Sequence, residues 1–205
     1  MGRVSKAQAD TNRGRVVEIA ARMFQRHGVS AVCIADLMAE AGLTHGGFYR
    51  QFASKNDLAA KACAHAMDRA IGVWRAIAAA HKPEERLAAL TENYLAGDMD
   101  RHRCPMPAIA GDMAREPADS KLRQAFTDGV RGLADVLAGQ GDRTRALRNL
   151  AAMVGAVALA RGIDDPAFTA ELLDAVRGMA APVFSDQPPT ISETTDPIGG
   201  SPPRR

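Results

Sequence analysis

Apolar residues recur at spacings of three and four along most of the chain, and no segment of useful length alternates with the period of two that a strand needs. Val16, Ile19, Ala20, Met23 and Phe24 mark the first helical face, with Thr11 as its cap. His27-Gly28 closes it, because Gly accepts a left-handed terminus and His suits the negative end of the helix dipole. Residues 1–10 carry no apolar period and read as a flexible basic arm. Ser30 to Val32 connect to a second face made by Ile34, Leu37, Met38 and Ala41. Gly42 ends that helix, Thr44 opens a very short one, and Phe48 and Phe52 bury it against the first two. Two helices joined by a Gly turn, the second too short to pack alone, is a helix-turn-helix layout.

Ser54-Lys55-Asn56-Asp57 places a hydroxyl at a cap and a carboxylate three residues on. No breaker follows until Lys82-Pro83, which predicts a helix from 55 to about 80, roughly 40 Å long, with Gly72 as its weakest point. Pro83 suits the first position of the next helix, faced by Leu87, Leu90 and Tyr94. Residues 97–104 read as a loop before Pro105 and Pro107, and a short helix carries Ile109 and Met113 to Glu116-Pro117. From Ala118, Leu122, Phe126, Val130, Leu133 and Leu137 make a longer helix that Gly139-Gln140-Gly141 stops. Leu147, Leu150, Ala151, Val154 and Ala158 mark another, ending at Gly162; Phe168, Leu172, Val176 and Met179 mark the last, after the Asp164-Asp165-Pro166 turn. From Ser185 the chain turns to Pro, Thr, Ser and Gly with no core of its own, a disordered composition.

The expected fold is therefore all-α, with about nine helices. It divides into a basic arm (1–10), a three-helix helix-turn-helix head (11–53), a larger helical body (54–184) and a tail (185–205).

Charge sharpens this division. Net charge is only +2, but residues 1–62 carry +4 and the remainder −2. A basic front end on a near-neutral body suits a DNA-reading head with a body of another purpose. Cys33, Cys63 and Cys104 fit no disulfide framework or zinc spacing, and no apolar run resembles a signal peptide or a membrane span. The protein is expected to be cytoplasmic with reduced thiols, away from membranes, without cofactor or metal.

The residues Ala41-Gly42-Leu43-Thr44-His45-Gly46-Gly47-Phe48-Tyr49, then Phe52 and Ser54-Lys55-Asn56-Asp57-Leu58, resemble the TetR family of bacterial transcriptional repressors. Val16 to Gly28 and Asp36-Leu37-Met38 are similar to its first and second helices. The resemblance covers about the first 60 residues. Cys104-Pro105-Met106 with Ala108 to Ala110 is similar to a segment of one group of these repressors. The resemblance implies a homodimer that binds a pseudopalindromic double-stranded operator, and a body that takes a small-molecule effector. Effector binding would move the fourth helix and part the two heads. The last two long helices, around 144–162 and 167–181, would pair with their mates as a four-helix bundle. Three positions depart from the family: Val32 stands where Thr or Ser is common, Cys33 follows it, and Gln51 replaces a frequent His.

Candidate DNA contacts are Thr44, His45, Gly46, Gly47, Tyr49, Arg50 and Lys55. Two glycines in a short helix cost roughly 1 kcal/mol each relative to Ala, and they also let a backbone approach a partner closely. Thr44 and His45 open the recognition segment, where N–H groups, a hydroxyl and an imidazole can meet phosphate or a base edge. Lys55 opposes the helix dipole at its helix start, a misfit that a nearby phosphate would relieve. Plainer readings stand beside these: Thr44 as a cap, Tyr49 as core, and Arg50 as a solvated charge. Arg3, Lys6, Arg13 and Arg15 read equally as groove or phosphate contacts and as solvated charges.

Candidate walls of an effector pocket are Trp74, Tyr94, Met99, Cys104, Met106, Ile109, Met113 and Phe126; the same residues also suit an ordinary core. Candidate dimer contacts are Leu147, Leu150, Val154, Ala158, Phe168, Leu172, Val176 and Met179. The Arg101-His102-Arg103 cluster beside Cys104 reads most plainly as a solvated loop; it could also receive an anionic ligand or lower the thiol pKa, which admits a thiol-reactive effector beside an apolar one. The rival reading is an all-helical enzyme or binding protein using this region. That rival lacks a Gly-rich phosphate loop, a helical His pair and a nucleophile–base set.

Overall fold

The computed structural model describes residues 6–96 and 104–180. Among them lie eight α-helices and one short 3-10 helix, with no strand: α1 (Lys6–Ala31), α2 (Ile34–Glu40), the recognition turn (His45–Arg50), α3 (Lys55–Ala80), α4 (Arg86–Leu95), α5 (Met106–Met113), α6 (Lys121–Ala138), α7 (Arg143–Ala160) and α8 (Pro166–Ala180). This is the all-α architecture that the periodicity predicts. Arg3, Met99, Arg101, His102, Arg103 and the 185–205 tail lie outside the described residues.

Several boundaries differ from expectation. α1 begins at Lys6, so residues 6–10 are helical rather than part of an arm. Thr11 lies inside it and donates its hydroxyl to the Ala7 carbonyl at 2.9 Å, which rules out a capping role. Lys6 to Ala9 are good helix formers with no buried face, so propensity alone carries the helix where periodicity is silent. Gly28 does break α1, at φ 77° and ψ 166°, a conformation that a side chain resists; one further turn follows, to Ala31. Pro83 sits in a turn, and α4 opens only at Arg86. α3 runs straight through Gly72. α6 starts at Lys121 rather than Ala118, because Ser120 supplies the cap: its hydroxyl accepts the Arg123 N–H at 3.0 Å.

The long helix α3 is the axis of the molecule. Its first turns pack on α1 in the head, and its middle lies against α6 in the body. The expected cap forms: Ser54 accepts the Asp57 N–H at 3.0 Å, and the Asp57 carboxylate accepts the Ala53 N–H at 3.3 Å. Hydrogen bonds from Lys61 and Ala53 hold the Asp57 carboxyl below the usual carboxylate range.

Against α6 the approach is very close. A Cβ at Gly129 would meet Met67 Cβ at 2.7 Å and its sulfur at 2.8 Å; one at Gly132 would meet Ile71 Cδ1 at 2.5 Å. Glycines three apart share one helix face, and Met67 Cβ is fixed to its backbone and cannot swing aside. The crossing of α3 and α6 therefore depends on these two missing side chains.

Arg123 ties the end of α5 to α6. It donates Nη2 to the Met113 and Glu116 carbonyls, each at 2.5 Å, and Nε to Pro117 at 3.1 Å.

Candidate nucleic-acid interface

The head is built around Phe48 and Phe52. Both are fully buried, their ring centroids 5.5 Å apart, among Phe24, Leu37 and Met38. Gly42 makes the turn at φ 65° after α2. Arg15 reaches from α1 to the Ala41 carbonyl, and Arg13 lies over the Phe52 ring, 5.5 Å from its centroid. Two arginines that read as solvated or groove-facing charges thus brace the turn from inside the chain. α2 is capped by Cys33, whose sulfur accepts the Asp36 N–H at 3.4 Å. The hydroxyl expected near Val32 is replaced by a weak acceptor one residue later, and Val32 itself is buried. Gln51 is half-buried, with its Oε1 turned inside.

On this frame the recognition turn presents Thr44, His45, Gly46, Tyr49 and Arg50 exposed, and Gly47 half-buried. Thr44 is the residue before the turn, but its hydroxyl makes no capping bond and is left to face outward. Tyr49 is 64% exposed, so the reading of it as core is wrong; it stands edge-on to Phe48 at 5.1 Å and to His45 at 6.2 Å.

The glycines decide more. A Cβ at Gly46 would meet nothing within 4 Å, and one at Gly47 only ordinary contacts at 3.7 Å. Nothing among the described residues requires either residue to lack a side chain.

Lys55 has an intramolecular partner that the sequence does not reveal: its ammonium donates to the Ser30 carbonyl at 3.3 Å, which joins the start of α3 to the end of α1. Two of its three N–H donors remain for another acceptor.

The profile of bacterial regulatory proteins of the tetR family matches residues 16–62, which is this head. The head of this chain is thus similar to the DNA-binding domain of the TetR family. The chain is 33% identical over 91 residues to the transcriptional repressor KstR2 of Mycobacterium tuberculosis, covering 44% of this chain and 45% of that one. It is 34% identical over 58 residues to the transcriptional regulator AcrR of Shigella flexneri, covering 28% and 27%. The matched stretches thus span less than half of either relative. A TetR transcriptional regulator from Chloroflexus aurantiacus superimposes with a TM-score of 0.67 at 25% identity, over 85% of this chain and 94% of that one.

In the body, Trp74, Tyr94, Cys104, Met106, Ile109 and Met113 are all buried, and Phe126 is partly so. Trp74 and Tyr94 meet edge to face at 5.8 Å. The Tyr94 phenol interacts with Cys104, and burial raises it well above its usual pKa. Burial pushes the Cys104 thiol up to about 11, against weaker opposing pulls from Tyr94, the Met106 N–H and Arg161. Cys63 is pushed up to about 12 by the same cause. A thiol so raised is scarcely a nucleophile at neutral pH. Iodoacetamide at neutral pH is therefore expected to label exposed Cys33 in the folded protein and spare Cys63 and Cys104. Comparable labelling of Cys104, read by peptide mass, would contradict this.

The candidate dimer residues separate into two sets. Leu147, Ala158, Phe168 and Met179 are exposed, and Val154 and Leu172 are half-buried. Leu150 and Val176 are instead buried within the subunit, which corrects their assignment. The outward stripe is rotated by one position: Ala151 and Leu159 on α7 and Ala175 on α8 complete it. Of six exposed large hydrophobic side chains among the described residues, Leu147, Leu159, Phe168 and Met179 all fall on these two helices. An apolar patch concentrated this way marks an interaction surface.

Among the described residues, no helix is long and apolar enough to cross a membrane, and no group of three or more His, Cys, Asp or Glu could hold a metal.

Proposed function

We propose that this chain is a cytoplasmic, ligand-responsive transcriptional repressor of the TetR family that binds a pseudopalindromic operator as a homodimer. The two heads of the dimer (11–53 in each subunit) read adjacent major grooves, and the body (54–184) dimerises and takes the effector. Thr44, His45, Gly46, Gly47, Tyr49, Arg50 and Lys55 carry the DNA contacts: the glycines admit a sugar-phosphate backbone, and the others meet phosphate or base edges.

The observation that supports this most is the Gly46-Gly47 pair, exposed at Gly46 and half-buried at Gly47. Helix propensity disfavours it and no neighbour among the described residues demands it. A residue choice that costs the fold and relieves no crowding points to a partner outside the fold.

The effector reading favours an apolar molecule among Trp74, Tyr94, Met106, Ile109, Met113 and Phe126. The thiol-reactive alternative loses ground because Cys104 is buried and protonated. The same fact weakens the enzyme reading based on the Arg101–Cys104 region.

The test is selection from random duplexes with purified protein, followed by titration of the recovered site. One symmetric sequence with steep salt dependence is expected. Gly46→Ala should fold at least as stably as the parent, yet bind that duplex at least tenfold more weakly. Unchanged binding in a folded Gly46→Ala protein would remove the groove-approach reading, and no sequence preference at all would remove the repressor.

A further inference from the structure

Asp112, in the last turn of α5, joins body to head across more than eighty residues of sequence. Its Oδ2 accepts the Val29 N–H at 2.6 Å and its Oδ1 accepts the Ser30 hydroxyl at 2.6 Å. Gly28 makes this possible. Its φ of 77° breaks α1 at this point, and a Cβ there would press on Asp112 Oδ2 at 3.0 Å. The short turn that follows Gly28 thus offers a backbone N–H and a hydroxyl to one carboxylate, a paired and charge-assisted arrangement. Ser30 then passes the connection on, because its carbonyl accepts the Lys55 ammonium at the first residue of α3. One body carboxylate is therefore linked to the place where α1 ends and, through Lys55, to the place where α3 begins.

The same helix looks the other way into the body. Met106, Ile109 and Met113 of α5 are buried in its core, and the C-terminal end of α5 is held by Arg123 of α6. An element with one face in the apolar interior and a carboxylate bonded to the head converts a shift at the first into a movement at the second. Two short hydrogen bonds either hold or break, which gives the contact two discrete states.

We propose that Asp112 is a positioning residue: the latch through which α5 sets the pose of the DNA-reading head. An apolar ligand that displaces α5 acts on the head by releasing or dragging this latch. The proposal rests on the dimeric repressor reading above.

The experiment uses the full-length protein carrying Cys33→Ser and Ala53→Cys, spin-labelled at position 53, with Cys63 and Cys104 left buried. Pulsed dipolar spectroscopy then reads the distance between the two heads. The parent should give one narrow distribution. Asp112→Ala removes both bonds and should broaden or shift it by several ångströms, and weaken binding to the selected duplex at least tenfold, with helix content and dimer mass unchanged. Asp112→Asn keeps an acceptor for Val29 and a donor for Ser30, and should restore both readouts. Should Asp112→Ala fail to fold, Ser30→Ala, which breaks one bond, should move both readouts the same way by less. A folded Asp112→Ala or Ser30→Ala protein with parental distances and affinity would overturn the latch and leave the repressor reading standing. A parent with no dipolar coupling between labels would remove the dimer, and the latch with it.

Discussion

Phe168→Glu is expected to leave the subunit folded but monomeric, without the tight operator binding of the proposed dimer. Phe168 is 52% exposed in the single subunit, so a glutamate there stays hydrated and the subunit keeps its fold. In the proposed four-helix bundle the same side chain is covered by the mate, and an unpaired carboxylate would lose its water. Such a burial costs on the order of 3 kcal/mol, and symmetry counts it twice. About 6 kcal/mol weakens association roughly 10⁴-fold. A monomer also loses the bivalency that multiplies operator affinity by roughly 10² to 10⁴. Light scattering should show the mass halved, with circular dichroism unchanged and the selected duplex released. A variant that stays dimeric would place the subunit contact elsewhere than the Leu147–Leu159 and Phe168–Met179 faces.

Phe48→Ala should have the largest effect on the head. Phe48 is fully buried and touches both Phe52 and Tyr49. Removing a buried Phe side chain costs about 3–5 kcal/mol, a large part of the roughly 5–15 kcal/mol that holds a typical protein folded. The loss falls on a recognition turn of six residues with two glycines, which has little helical stability of its own. Hydrogen exchange should show amides of residues 37–58 losing protection while those of α6 to α8 retain it, and operator binding should vanish. Equal loss of protection in both regions would mean that head and body unfold as one unit; full protection in the head would mean that Phe48 is not its keystone.

The recognition segment was the most legible part of the chain because its signals are local. A Gly turn, a weak short helix, flanking aromatics and a capping box all lie within residues 41–58, and each rests on backbone geometry or periodicity that needs no distant partner. The 3-10 form of that helix was less legible, since periodicity over six residues does not separate 3.0 from 3.6 residues per turn. The exposed apolar face of α7 and α8 was read to within one position. An apolar stripe tells a helix which side is dry, but it does not tell Leu150 and Val176, which face the subunit's own core, from Ala151 and Ala175, which face out. The Gly129-x-x-Gly132 spacing could have flagged the α3–α6 crossing, but only as one of many glycine pairs.

Local chemistry in the sequence thus determined that the chain is helical, where most helices begin and end, and which short segment is shaped for a nucleic acid. Tertiary structure alone decided that Asp112 meets Val29 and Ser30, that Arg13 and Arg15 brace the turn, that Lys55 bonds Ser30, and that Cys104 is sealed and protonated. The reason is physical. Caps, turns and amphipathic faces are set by interactions within a few residues, whereas the partner of a charged side chain and the pKa of a thiol depend on which elements the folded core brings within a few ångströms.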